Sequence, residues 1–107
     1  MPYEILLAPE AVEDFRLLKP NVRATVRDAL DTFLRYQPTT ISKSRIKRLR
    51  GLARPQYRLR VDEIRVFYDV SDNTVEILAI VDKPDTAAWL EREGVPDEAD
   101  STLGSEE

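Results

Sequence analysis

The segment YRLRVDEIRVFYDV, Tyr57–Val70, constrains the fold more than any other part of the chain. Two runs of alternating residues flank a two-residue linker, Asp62 and Glu63. That spacing suits a β-hairpin, in which the turn sets the register of the strands it joins. With Asp62 and Glu63 as the turn, Val61 pairs with Ile64, Arg60 with Arg65, Leu59 with Val66 and Arg58 with Phe67. Side chains alternate between the faces, so Tyr57, Leu59, Val61, Ile64, Val66, Tyr68 and Val70 share one apolar face. The opposite face carries Arg58, Arg60, Arg65 and Phe67. The apolar face needs a covering layer, which helices elsewhere in the chain can supply.

The N-terminal third supplies those helices. Tyr3–Leu7 reads as a short strand. Pro9 suits a helix's first turn, and Glu10, Glu13 and Asp14 suit its positive end. Ala11, Phe15 and Leu18 then recur at helical spacing, up to Lys19, the residue before Pro20. Val22, Val26, Ala29, Leu30 and Phe33 mark a second helix that Gln37 and Pro38 end. A loop from Pro38 to Ser44 leads to a strand at Lys47–Gly51, followed by a turn around Ala53–Pro55. After the hairpin, Ser71–Asn73 turn the chain into a last strand, Val75–Val81. Pro84 opens a short helix through Trp89 and Leu90. The class is α+β: an N-terminal strand, a helical hairpin, a four-stranded antiparallel run and a short C-terminal helix. Residues 1–93 form one domain. From Gly94 apolar periodicity vanishes, and residues 94–107 are expected to be an acidic, disordered tail.

Charge is distributed very unevenly. The 16 Lys and Arg all lie within residues 1–92 with 14 of the 20 acids, a balance of +2. Residues 93–107 hold the other six acids and no base. Between Lys43 and Arg65 nine basic residues face only Asp62 and Glu63, so an acidic average of −4 conceals a basic middle. With no Cys and no His, thiolate and imidazole chemistry are excluded, including imidazole metal ligation. Asp82 and Asp85 lack acidic neighbours at metal-binding spacing, so neither metal nor cofactor is expected. The N-terminus does not read as a signal peptide and no apolar run is long enough to span a membrane, so the expected setting is cytoplasmic.

The basic face of the hairpin carries the functional argument. Two arginines directly opposed across a strand pair cost roughly 0.2–1 kcal/mol, a cost that a bound polyanion reverses. A solvated outer face is the plainer reading, but charges of one sign beside an aromatic ring favour anion binding. Nucleic acid fits, because guanidinium pairs bidentately with phosphate and stacks on bases. Lys47, Arg48 and Arg50 either extend this face or are solvated. Lys83 either reaches it or protects a sheet edge. Trp89 reads more readily as a packing residue than as a stacking platform.

The segments KRLRGLARPQYRLRVDEIRVFYDV and VEILAIVDKPDTAAWL resemble the RelE-like branch of the RelE/ParE toxins, over residues 3–90. The likeness lies in a basic-Leu-Arg-Gly segment, the Tyr-Arg-x-Arg strand, an Ile-Arg-x-x-Tyr strand and an apolar strand ending in a basic residue. It implies the toxin of a type II toxin–antitoxin system, acting as a ribosome-dependent mRNA endoribonuclease in which the RNA 2′-hydroxyl attacks the adjacent phosphate. Arg58, Arg60, Arg65 and Lys83 fall on catalytic positions, with Lys47, Arg48, Arg50, Phe67 and Trp89 as RNA contacts. Implied partners are a cognate antitoxin, the ribosome and mRNA. Arginine keeps its proton, so Arg58 and Arg60 cannot act as general bases; Lys83 and Asp82 are the candidates for proton transfer. Thin acid–base machinery keeps two alternatives open: a ParE-like toxin that poisons DNA gyrase without cutting RNA, and a catalytically silent homologue.

Overall fold

The computed structural model describes residues 2–97. In chain order the elements are β1 (Glu4–Leu7), α1 (Pro9–Leu17), α2 (Pro20–Ala29) with a π turn at Leu30–Leu34, β2 (Ile46–Arg48) and β3 (Leu52–Arg54). There follow β4 (Tyr57–Val61), β5 (Ile64–Ser71), β6 (Thr74–Asp82), a 3-10 turn at Lys83–Asp85, α3 (Thr86–Glu93) and β7 (Val95–Pro96).

Pro9 and Pro20 each stand in the first turn of their helices, where no hydrogen bond is lost. Helix α1 stops two residues short of Lys19, because Leu18 is already extended at ψ 148°. Arg23 of α2 stabilises that end: its guanidinium donates to the carbonyls of Phe15, Arg16 and Leu18 at 3.3, 3.2 and 3.0 Å. A cation at a helix C-terminus opposes the macrodipole and satisfies orphan carbonyls, so the turn between the helices is held by one side chain.

The hairpin register is the one the sequence predicts. Val61 pairs with Ile64, Arg60 with Arg65, Leu59 with Val66, Arg58 with Phe67 and Tyr57 with Tyr68. Asp62 takes up the left-handed turn conformation at φ 53°. The main sheet has the order β1-β6-β5-β4-β2, with β1 parallel to β6 and the other neighbours antiparallel. The four-stranded antiparallel run is therefore present, and β1 makes the sheet mixed by joining its edge. Periodicity reveals which face each strand buries. It does not reveal which edge a remote strand joins.

On one side, Leu59, Val61, Ile64, Val66 and Tyr68 pack with Val75, Ile77 and Ile80 against Ala11, Val26, Leu30 and Leu34 of the helices. Tyr68 is fully buried, stacked on Tyr57 at 5.4 Å, and its hydroxyl donates to Pro38 O at 2.6 Å. Burial pushes that phenol well above its ordinary pKa.

A β-bulge divides the last strand. Phe67 pairs with Ala79 but Tyr68 pairs with Ile77, leaving Leu78 as the extra residue. Ile77 and Ile80 consequently both reach the helical side, while Leu78 and Ala79 join Phe67 and Trp89 in a second apolar cluster. The Ile80 N–H next to the bulge donates to Asp14 Oδ2 of α1 at 2.9 Å. Helix α3 covers this second cluster on the arginine-bearing side of the sheet.

Two sequence boundaries shift. The expected strand Lys47–Gly51 is Ile46–Arg48, and the chain turns at Gly51, φ 78°, into the short β3. Val95–Pro96 pair with β3, so ordered structure extends past the boundary expected at Gly94. The remainder of the expected tail, residues 98–107, lies outside the described residues. Among the described residues no helix is long and apolar enough to cross a membrane.

Candidate nucleic-acid interface

Alternation along β4 and β5 puts Arg58, Arg60 and Arg65 on the side of the sheet away from the helical hairpin. Lys47 of β2 pairs with Arg58 and so shares that side. Lys83 follows β6 directly, and its N–H donates to Glu63 O at 2.8 Å, which fixes it at the turn between Arg60 and Arg65. The hairpin thus gathers Arg58, Arg60, Arg65 and Lys47 on one face, with Lys83 at its end.

None of these five groups makes an ion pair among the described residues. The far end of the same face is different, since Arg54 there lies 3.7 Å from both Asp69 and Glu76. Arg58 experiences the imbalance most directly. Burial, followed by the charges of Arg65 and Arg60, disfavours its charged form and lowers its pKa from the usual guanidinium value. Its Nε is buried without a hydrogen-bond partner among the described residues.

Arg65 is only 7% exposed. Its Nη1 donates to Asp62 O at 2.8 Å and to Ile64 O at 3.1 Å, so it also braces the turn. Both acceptors are neutral carbonyls, which orient the guanidinium without cancelling its charge. Arg60, Lys47 and Arg50 are exposed, and Arg50 sits in the turn after β2.

Three sequence expectations need correction. Arg48 pairs with Tyr57, which places it on the helical side of the sheet. There its guanidinium lies 5.3 Å from the Tyr57 ring centroid and donates to Leu49 O and Gln56 O. Phe67 and Trp89 do not offer their rings to a base, because they stack on each other at 4.9 Å and are 1% and 5% exposed. Trp89 Nε1 donates to Glu10 Oε2 at 2.7 Å, an anchor from α1 that no local sequence signal announced. Asp82 pairs with Ile64 and lines a cleft with Leu17, Leu18 and Val22, on the opposite face from the arginines. It is therefore not placed for proton transfer at them.

The resulting site can bind and neutralise phosphate. It offers little for moving protons: Tyr57 and Tyr68 face the core, and Lys83 stands at the hairpin end. Among the described residues no three potential metal ligands converge.

No protein-family model and no curated protein matches the sequence. Solved structures do. The chain superimposes on RelE of the archaeal RelE–RelB complex from Pyrococcus horikoshii with a TM-score of 0.64 at 24% identity, over 78% of this chain and 97% of that one. For the RelBE toxin–antitoxin complex of Mycobacterium tuberculosis the TM-score is 0.60 at 25% identity, over 77% and 92%. For a doubly substituted variant of the Escherichia coli toxin RelE in the free state it is 0.63 at 23%, over 87% and 94%. This likeness shows that the chain has a RelE-like α+β fold.

Proposed function

We propose that the protein is the toxin of a type II toxin–antitoxin pair and that it cleaves messenger RNA on the ribosome, in the cytoplasm. The observation that carries this reading is the group Arg58, Arg60 and Arg65 on one sheet face, without a carboxylate partner among the described residues. A phosphodiester supplies the charge this face lacks. Two of the similar structures are complexes of a RelE toxin with its antitoxin, which supports a neighbouring antitoxin as the partner of this surface.

In the proposed reaction the ribose 2′-oxygen attacks the adjacent phosphorus, and the bond from phosphorus to the 5′-oxygen breaks. The products are a 2′,3′-cyclic phosphate and a 5′-hydroxyl. Arg58 and Arg65 stabilise the charge that gathers on the phosphoryl oxygens, the largest contribution a preorganised site of this kind makes. In this reading the Lys83 ammonium, from the residue whose N–H meets the hairpin turn, protonates the departing oxygen. The 2′-hydroxyl proton leaves to water or to a ribosomal group, because the carboxylates of this face, Asp69 and Glu76, lie at its far end beside Arg54.

That last point favours a second reading, in which the fold poisons DNA gyrase without cutting RNA, or is catalytically silent. Primer extension on translated mRNA after induction separates them. Cuts within codons support the nuclease; intact mRNA with a supercoiling defect supports gyrase poisoning, and intact mRNA without growth arrest supports a silent homologue.

A further inference from the structure

At the corner where β2 begins, the chain builds a feature that the basic face does not require. Ser42 Oγ accepts the N–H groups of Arg45 and Ile46, both at 3.1 Å, and so fixes the entry to the strand. Arg60 N donates to Arg45 O at 2.9 Å, and Arg45 Nη1 donates to Arg60 O at 3.2 Å. The Arg45 guanidinium lies 4.9 Å from the Phe33 ring centroid. Arg45 is thereby held beside Arg60 by backbone bonds on one side and an aromatic ring on the other. Between them opens a cleft of about 250 Å³ lined by Ser44, Arg45, Arg60 and Asp62. Neither arginine makes an ion pair among the described residues.

From this arrangement we infer a second phosphate subsite, in which Ser44, Arg45 and Arg60 hold the phosphodiester next to the one at Arg58 and Arg65. The inference rests on the RNA reading above and extends it. One guanidinium held in place, that of Arg45, together with the exposed guanidinium of Arg60 and the Ser44 hydroxyl, supplies donors for one phosphate. Asp62 at the rim opposes a bare dianion but can accept a hydrogen bond from a ribose hydroxyl or base amino group. The fit is therefore to a nucleotide in a single strand and not to inorganic phosphate. Arg60, at the edge of both sites, links them, so a strand passes from the hairpin face over the β2–β4 corner.

The test compares labelled RNAs of two and four nucleotides by fluorescence anisotropy over a salt series, with gels confirming that the RNA stays intact. The wild-type protein should bind the longer RNA about tenfold more tightly. Arg45→Gln should remove that gain and lower the salt slope by about one, leaving two-nucleotide binding unchanged. Because Arg45 also packs on Phe33, Ser44→Asp provides a second variant that introduces a negative charge at an exposed position, and it should likewise remove the gain. If the gain survives in both variants, the subsite is wrong and the RNA reading stands. If the wild-type protein binds neither RNA, the RNA reading fails and the subsite fails with it.

Discussion

Arg60 and Arg65 stand directly opposite each other across the β4–β5 ladder, and neither has a carboxylate partner among the described residues. The two differ in surroundings. Arg65 is buried against turn carbonyls, whereas Arg60 projects from an exposed position. The repulsion is thus between one fixed charge and one that water screens, which limits its size and separates the expected effects of replacing each residue.

Arg60→Ala should leave the free protein as stable as the parent or up to about 0.5 kcal/mol more stable, since the opposed pair costs at most roughly 1 kcal/mol and exposure screens it. Urea unfolding of the isolated protein measures this. A loss above about 1 kcal/mol would show that Arg60 is structural.

Arg65→Ala should reduce RNA cleavage about 10²-fold, as removal of a preorganised donor to a developing oxyanion does. It should also cost about 1–3 kcal/mol of stability, because two hydrogen bonds from a buried guanidinium are lost. Although Arg65 lies off the apolar face, it is buried, so its replacement reaches the fold as well as the basic face. Unfolding curves alongside cleavage assays separate the two effects. Wild-type toxicity in the variant would remove Arg65 from the site.

Trp89 should report on α3 and not on RNA. The ring is stacked on Phe67 and bonded to Glu10, so its emission should stay unchanged as RNA is titrated in. Quenching by RNA would show that the ring is reachable. Trp89→Phe, which keeps the stack and loses the Glu10 bond, should cost about 1 kcal/mol, and Trp89→Ala about 3–5 kcal/mol.

Asp14 gives a pH prediction. Burial raises its carboxyl pKa above 3.8, with Glu10 and Glu13 adding to the rise, against the lowering effect of the Ile80 N–H. The folded state therefore binds more protons than the unfolded state just above that value. Stability from this group is present below 3.8 and is lost as pH rises through the folded pKa. Asp14→Asn, which retains an acceptor for Ile80, should flatten that part of the stability–pH curve and should not destabilise the protein at neutral pH. An unchanged pH profile would contradict the assignment.

The sequence by itself determined what local geometry controls. Alternation from Tyr57 to Val70 around a two-residue turn set the register, the apolar face and the co-facing of Arg58, Arg60 and Arg65, because the period of a strand is fixed by its backbone. Only the tertiary structure decided the rest. The Leu78 bulge moves Ala79 off the face that strict alternation would give it, and α3 then uses Trp89 to cover Phe67. Arg48 moved out of the basic face once β2 took its register against β4, and Arg45 came beside Arg60 through the same pairing. Each of these outcomes depends on which remote segments meet. Contacts of that kind are selected by the free energy of packing the whole chain, and no local residue pattern records them.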